Sequence, residues 1–315
     1  MGSNPIARSS FSQAHSARLQ IVPIERGRIM SLSPPAGEEN ALAADFHLHS
    51  NASDGRDSPR RVMTRAREAG LKAISLTDHD TVAGLEEARA EAERLGLEFI
   101  DGVELTSSHE GRLIHILGHF ICPENSRLRE RISKCMGDRR VRMDQMLEKL
   151  DSLGISIDSA DFYRTYGDTS IGRGQLSAYM VKKGIVHSTR EVFERFLKEE
   201  APAYVPLETL VPLEVVELIR GAGGTATIAH PLLSDADNLI PALVSGGLAA
   251  IEVEHPAQDE DARGRYRALA ERYGLIPLGG SDCHGAVPGP KRMGSVRLPL
   301  HLVEVLRARR PAAVR

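Results

Sequence analysis

From residue 45 onward the chain repeats one cadence: an amphipathic helix, a glycine, then a short apolar strand. VPLEVVELIRGAGG runs into TATIAHP, ALVSGG into LAAIEVEH, and YRALAERYG into LIPLGGSDCH. Earlier, ADFHLH is followed by a helix that Ser58 caps, Pro59 opens and Gly70 closes. KAISLT is followed by the helical run TVAGLEEARAEAERLG, and LEFIDGVEL and RLIHILGHF read as two further strands. Such alternation predicts a mainly parallel α/β fold.

Between about Pro123 and Pro202 the cadence stops. Helices are expected over Ser126–Leu153, Ser159–Tyr166, Gln175–Lys183 and Thr189–Leu197, with little sheet. The segment reads as a helical insertion (123–202) that divides the α/β domain into a first part (44–122) and a second part (203–310). Residues 1–43, rich in Ser, Pro, Ala and Arg, read as a disordered tail, or as an extension ahead of a true start at Met30. Forty basic against 43 acidic residues give a formal charge of −3, which argues against a protein that coats polyanions and gives no support for one that binds membrane surfaces. No apolar run is long enough to span a bilayer. Cys122, Cys135 and Cys283 form no CxxC pair, so neither a disulfide scaffold nor a thiolate zinc site is expected, and the cytoplasm is the expected compartment.

The strand ends carry the chemistry. Residues two apart on a strand share a face, so DFHLH aims His47 and His49 at one place. Asp282 and His284 in SDCH do the same if the chain stays extended, with Cys283 pointing away. Asp54 in SDG, His79 in TDHD, Glu104 in GVEL and His230 in IAHP fall at or just past other strand ends, and His115 joins them if its strand enters the site early. Ligands of parallel α/β folds bind at those ends. Any one such histidine is more often a satisfied polar group than a ligand; nine groups in corresponding positions are a different matter. Imidazole with carboxylate suits Zn, Mn or Fe, and nine donors exceed one tetrahedral site, so two or three divalent ions are expected. His15, His109, His119, His187 and His301 are left to surface or packing roles. His255 in EVEHP also ends a strand and is a candidate to touch substrate or serve as an acid.

These motifs, DFHLHSNASDG, TDHD, GVEL, IHILG, IAHP and GSDCH, in this order, resemble the PHP (polymerase and histidinol phosphatase) family of metal-dependent phosphoesterases. The spacing is most similar to the branch of nucleoside 3′,5′-bisphosphate phosphatases and 5′-to-3′ exonucleases of short RNA, which carries a helical insertion at this point. The resemblance implies a distorted (β/α)7 barrel. It implies one metal held by His47, His49, Glu104 and Asp282, a second by Glu104, His115 and His230, and a third by Asp54, His79 and His284, usually manganese, with zinc or iron also seen. It further implies hydrolysis by a metal-bridged hydroxide that attacks phosphorus in line. Cys283 stands where the family often has an aromatic residue.

Arg173, in SIGRGQ, matches the branch arginine that holds a second phosphate. The branch lysine before a PAYV-like strand is missing from APAYV, and Lys198 is the nearby substitute. A basic run, Arg127, Arg129, Arg131, Lys134, Arg139, Arg140 and Arg142, would track a nucleic-acid backbone or form a solvated helix face. With no tryptophan and 4% aromatic residues, stacking platforms are few, so the expected partner is a small phosphorylated nucleotide or short RNA oligonucleotide, with no membrane and no obligate protein partner. The rival readings are a histidinol-phosphate phosphatase, another small-molecule phosphomonoesterase, a non-catalytic metal-stabilised regulatory module, and an amidohydrolase, which TDHD and DxH fit less well.

Overall fold

A computed structural model describes residues 42–167, 169–207, 209–285 and 292–312 of the chain; most of the segment read as a tail lies outside them. Eight strands form one sheet: β1 Leu42–Leu48, β2 Ala73–Leu76, β3 Glu98–His109, β4 Arg112–His119, β5 Thr225–Ile228, β6 Ala250–Glu254, β7 Ile276–Gly279 and β8 Leu298–Pro299. The barrel thus begins at Leu42, two residues inside the stretch assigned to the tail. Strands β1 to β7 neighbour one another in sequence order, and β8 lies outside β1. The pairs β1–β2, β2–β3, β5–β6 and β6–β7 are parallel.

The interruption is β4, antiparallel to both its neighbours. Only Glu110 and Gly111 link it to β3, both at positive φ (50° and 81°). A two-residue turn of that hand makes a hairpin, whereas a parallel return needs a crossover of a dozen residues. The sheet closes where the chain leaves β7: Asp282 N–H donates to the His47 carbonyl at 3.0 Å, and His49 N–H donates to the Cys283 carbonyl at 3.1 Å. The result is an almost closed mixed barrel of the α/β class. It has the seven implied strands in order, and the difference is β8, a two-residue strand antiparallel to the start of β1.

The helices are α1 Pro59–Glu68, α2 Leu85–Leu95, α3 Ser126–Ser152, α4 Ser159–Tyr166, α5 Arg173–Lys182, α6 Thr189–Val192, α7 Pro212–Gly221, α8 Pro231–Ser234, α9 Ile240–Ser245, α10 Glu260–Tyr273 and α11 His301–Ala308. The Ser58 hydroxyl caps α1 by accepting from Arg61 N–H at 3.2 Å. The α1, α2, α7 and α10 faces pack on alternate strand residues such as Ile74, Val103, Ile228 and Ile251. A second cluster joins Ala44, Ala73, Ala250 and Ile276, near the strand starts, to Leu302, Val303 and Leu306 of α11. That helix therefore plugs the end of the barrel opposite the strand ends.

Residues 123–202 supply helices and a π-helical turn, Phe193–Leu197, where a longer helix was expected. Their core is separate: Met143, Met146 and Leu150 of α3 with Phe162, Leu176, Met180 and Leu197. The first turns of α3 pack instead on the barrel through Leu128 and Ile132. One long helix thus fastens the insertion above the strand ends. Among the described residues, no helix is long and apolar enough to cross a membrane.

Candidate metal centre and adjoining cleft

All nine side chains singled out at the strand ends come together. His47 is the penultimate residue of β1, and His49 follows the strand; both are fully buried. Asp54 sits in the next loop, whose shape is set by Asp78. That carboxylate accepts from Ser50 N–H at 2.7 Å, the Ser50 hydroxyl at 2.6 Å and the Ser53 hydroxyl at 2.7 Å. Gly55 is required there, because a Cβ would lie 2.8 Å from backbone atoms of His49 and Ser50. His79 follows β2, and His115 enters early on β4, as its reversed direction demands. Glu104 lies in the middle of β3 rather than at its end, because the hairpin prolongs that strand beyond it.

Glu104 is the hub. Its Oε2 lies 3.0 Å from His47 Nε2, 3.1 Å from His49 Nε2 and 3.3 Å from His79 Nδ1. Its Oε1 lies 2.8 Å from His115 Nδ1 and 3.3 Å from His230 Nε2. Asp282 Oδ1 stands 3.3 Å from His49 Nε2 and 3.6 Å from His47 Nε2. Asp54 Oδ1 stands 3.2 Å from His284 Nε2. Four overlapping groups have donor atoms close enough to hold an ion: His49, Asp54, His79 and His284; His47, His49 and Asp282; His47, Glu104 and His230; and His79, Glu104 and His115.

The donors fit metal ions. His49 Nδ1 and Nε2, His79 Nδ1, His115 Nδ1 and His230 Nδ1 are buried and make no hydrogen bond, although three of these nitrogens lie near a carboxylate oxygen. Atoms about 2.1 Å from a shared ion at tetrahedral or octahedral angles stand about 3.0–3.4 Å apart, which is the spacing seen. Without a cation, the neighbouring carboxylates favour protons on His47 and His49, whereas burial drives His79 down to about 3. Burial would lower His49, but the Asp282 and Glu104 carboxylates close to Nε2 raise it to about 10. Burial would raise Glu104, but His79, His47 and His115 hold it well below the carboxylate range.

The SDCH segment departs from the extended form expected of it. Asp282 lies at φ 50°, a left-handed conformation, and His230 lies at φ 27°. Asp282 and His284 thus belong to different donor groups rather than sharing a strand face. Cys283 does turn away, into the apolar layer under α1. Gly280 makes the approach feasible, since a Cβ there would lie 2.2 Å from His47 Cβ.

His255 corrects its expected role. It is fully buried; its Nδ1 accepts from Ala257 N–H at 3.1 Å and its Nε2 faces Asp282 Oδ2 at 3.3 Å. With both ring nitrogens engaged and no exposure, it is not placed to protonate a leaving group. Glu252 on β6 escaped the sequence reading. It lies 3.0 Å from His47 Nδ1 and is fully buried; the signal available was a carboxylate flanked by the apolar Ile251 and Val253 in mid-strand.

A cleft of about 210 Å³ opens beside the cluster. Asp54, His79 and His115 line one part, and Arg139, Arg142, Arg173, Gln175 and Phe193 another. Arg173 is therefore part of the cleft wall. Lys198 is not: it is exposed and does not line the cleft. The basic run on α3 also divides. Arg127, Arg129, Lys134 and Arg140 face solvent, whereas Arg139 and Arg142, three apart, share the buried face. Arg139 pairs with Asp80, its Nε 2.9 Å from Oδ2. Arg142 donates from Nε to the Val205 carbonyl at 2.7 Å, and its Nη2 is buried without a hydrogen-bond partner. Arg173 donates to the Leu197 carbonyl at 3.0 Å. Neither of the last two forms an ion pair among the described residues, although the Glu199 carboxylate lies near enough to Arg173 to act on its charge.

Comparison with known proteins gives a consistent set of likenesses. The PHP domain model matches residues 45–118. The chain is 32% identical to a 5′-3′ exoribonuclease of Haemophilus influenzae, over 76% of this chain and 89% of that one. It is 33% identical to a 3′,5′-nucleoside bisphosphate phosphatase of Chromobacterium violaceum, over 79% and 90% respectively. The crystal structure of a protein from Bifidobacterium adolescentis, assigned to the metal-dependent phosphoesterases, superposes with a TM-score of 0.80 at 28% identity, covering 90% of this chain and 99% of that one.

Proposed function

Because this chain belongs to the PHP family of metal-dependent phosphoesterases, we propose that it hydrolyses phosphate esters of nucleotides that carry a second phosphate. The substrate is a nucleoside 3′,5′-bisphosphate or the 5′ end of a short RNA. The observation that carries this reading is the cleft itself, which sets Asp54, His79 and His115 of the cluster against two arginines that form no ion pair, Arg142 and Arg173. The Arg142 guanidinium, held out of water with no carboxylate beside it, is costly unless an anion arrives.

In this reading the nine residues hold divalent cations, two or three in number, with Glu104 shared. Mixed imidazole and carboxylate donors without thiolate suit Zn2+, Mn2+ or Fe2+, and among these the resemblance to the family favours Mn2+. Such cations, when bound, supply Lewis acidity toward phosphate oxygens and a water acidified to near neutral pH. The chain's own residues do the rest. Arg142 and Arg173 hold the phosphate that is not cleaved and so orient the ester. The Phe193 ring on the cleft wall gives the nucleoside an apolar surface. Water adds to phosphorus as the nucleoside oxygen departs in line, releasing inorganic phosphate from a monoester or a nucleotide from a diester. The proton that the attacking water gives up ends on the departing oxygen, and His255, buried with both ring nitrogens engaged, is not placed to carry it.

The test is a product-release assay with Mn2+ on a nucleoside 3′,5′-bisphosphate, a 5′-phosphorylated RNA oligomer, histidinol phosphate and an aryl phosphate. The expected result is a preference of about tenfold or more in kcat/KM for one of the first two, equivalent to about 1.4 kcal/mol of differential transition-state binding. Equal rates on all four, or a preference for histidinol phosphate, which offers nothing to the two arginines, would overturn the substrate reading.

A further inference from the structure

The cluster draws its donors from or just beyond β1, β2, β3, β4, β5 and β7, and takes none from β6. Yet β6 delivers two side chains to its underside. Glu252 is fully buried and uses both oxygens: Oε1 lies 3.0 Å from His47 Nδ1, and Oε2 accepts the His230 backbone N–H at 2.7 Å. His255, one residue past the strand, accepts the Ala257 N–H on Nδ1, so Nε2 carries the hydrogen and donates to Asp282 Oδ2 at 3.3 Å.

Each contact decides how a donor is presented. A His47 Nδ1–H committed to Glu252 leaves the lone pair on Nε2, the atom that faces Glu104 and Asp282. The Glu252 bond to His230 N–H pins a backbone at φ 27°, a conformation that residues other than glycine seldom hold. The His255 bond to Oδ2 turns Oδ1 of Asp282 toward His47 and His49.

We propose that Glu252 and His255 are positioning residues for the cation sites. They set the tautomer of His47, the backbone of His230 and the oxygen presented by Asp282, so that cation affinity depends on a strand that supplies no ligand. This rests on the reading of the nine residues as ligands. Outer partners of metal-bound histidines commonly govern affinity by about 10–100-fold. Glu252→Gln is a sharp probe, because a carboxamide cannot serve both contacts. With its oxygen toward His47, its NH2 meets the His230 N–H; flipped, it favours the wrong His47 tautomer.

The experiment is Mn2+ titration by calorimetry of chelator-stripped protein, with thermal unfolding of the stripped protein alongside. The variants are Glu252→Gln, His255→Ala, His255→Gln and, as a reference, Asp282→Ala. Glu252→Gln and His255→Ala should raise the Mn2+ dissociation constant about 10–100-fold. His255→Gln, which keeps a donor toward Asp282, should recover most of the affinity. A purely structural role would lower the unfolding temperature of the stripped protein and leave affinity unchanged, which overturns the proposal. If Glu252→Gln fails to fold, the contrast of His255→Ala with His255→Gln decides by itself. If Asp282→Ala loses Mn2+ while the β6 variants bind as wild type, this inference alone is wrong. If Asp282→Ala also binds as wild type, the ligand reading fails, and this proposal with it.

Discussion

Replacing Arg142 by methionine separates a functional charge from a structural one. The side chain is only 5% exposed, and burial, with Arg173 and Arg139 nearby, pushes its pKa down to about 10. That depression corresponds to a cost of about 3 kcal/mol for keeping the charge in the fold. Methionine removes the cost but also the bond to the Val205 carbonyl, and a hydrogen bond from a charged donor contributes about 1.5–3 kcal/mol. The two nearly cancel, so the variant should unfold within about 1–2 kcal/mol of wild type, a change of a few degrees in Tm. Catalysis should behave differently. Losing one charge-assisted bond to the uncleaved phosphate, about 1.5–3 kcal/mol, lowers kcat/KM about 10–100-fold for a nucleoside 3′,5′-bisphosphate. The matching nucleoside 3′-monophosphate should be hydrolysed almost as before. The assay is phosphate release on the two substrates side by side, with urea unfolding of both proteins. An equal loss on both substrates, or a loss of stability beyond about 4 kcal/mol, refutes the reasoning by making Arg142 structural.

Three further outcomes are expected. Gly280→Ala forces a Cβ onto His47, 2.2 Å away at the ideal position, and should weaken Mn2+ binding as well as stability; a variant that unfolds and binds like wild type contradicts the packing. Mn2+ must displace protons from imidazoles such as His49, which carboxylates raise to about 10 against the effect of burial. Affinity should therefore climb between pH 6 and 8, by about tenfold per pH unit for each proton displaced, and calorimetry in buffers of different ionisation enthalpy should register the released protons. Burial brings His119 down to about 3, below its value in the unfolded chain, so the unfolded state takes the proton first and stability falls as pH drops below about 6.5. His119→Gln removes this sensitivity. Relative to the variant, wild type should lose about 2 kcal/mol between pH 7 and 5, measured by urea unfolding, and parallel pH profiles would refute it.

Much of this site is readable from the sequence because strand geometry is local. HxH puts His47 and His49 together through the two-residue repeat of a strand, and glycine-terminated helices announce where the strands begin. What the sequence hides depends on tertiary context. Asp282 reaches the cluster through a left-handed turn that no alternation pattern encodes. The reversal of β4 is visible only as a two-residue gap between β3 and β4, and it carries Glu104 to mid-strand. Arg139 and Arg142 look like part of a solvated basic face until the insertion folds back and α3 must bury one side. Glu252 and His255 act through partners far away in sequence, so only the closed barrel reveals them.

The most direct test of the account is the divalent-cation content of the purified chain, measured together with phosphate release before and after chelation. Nine donors at about three to four per ion predict about two or three equivalents per chain, loss of hydrolysis when they are stripped, and recovery with Mn2+. A chain that carries no such ions, gains none from solution, and cleaves phosphate esters equally well in the presence of chelator contradicts it.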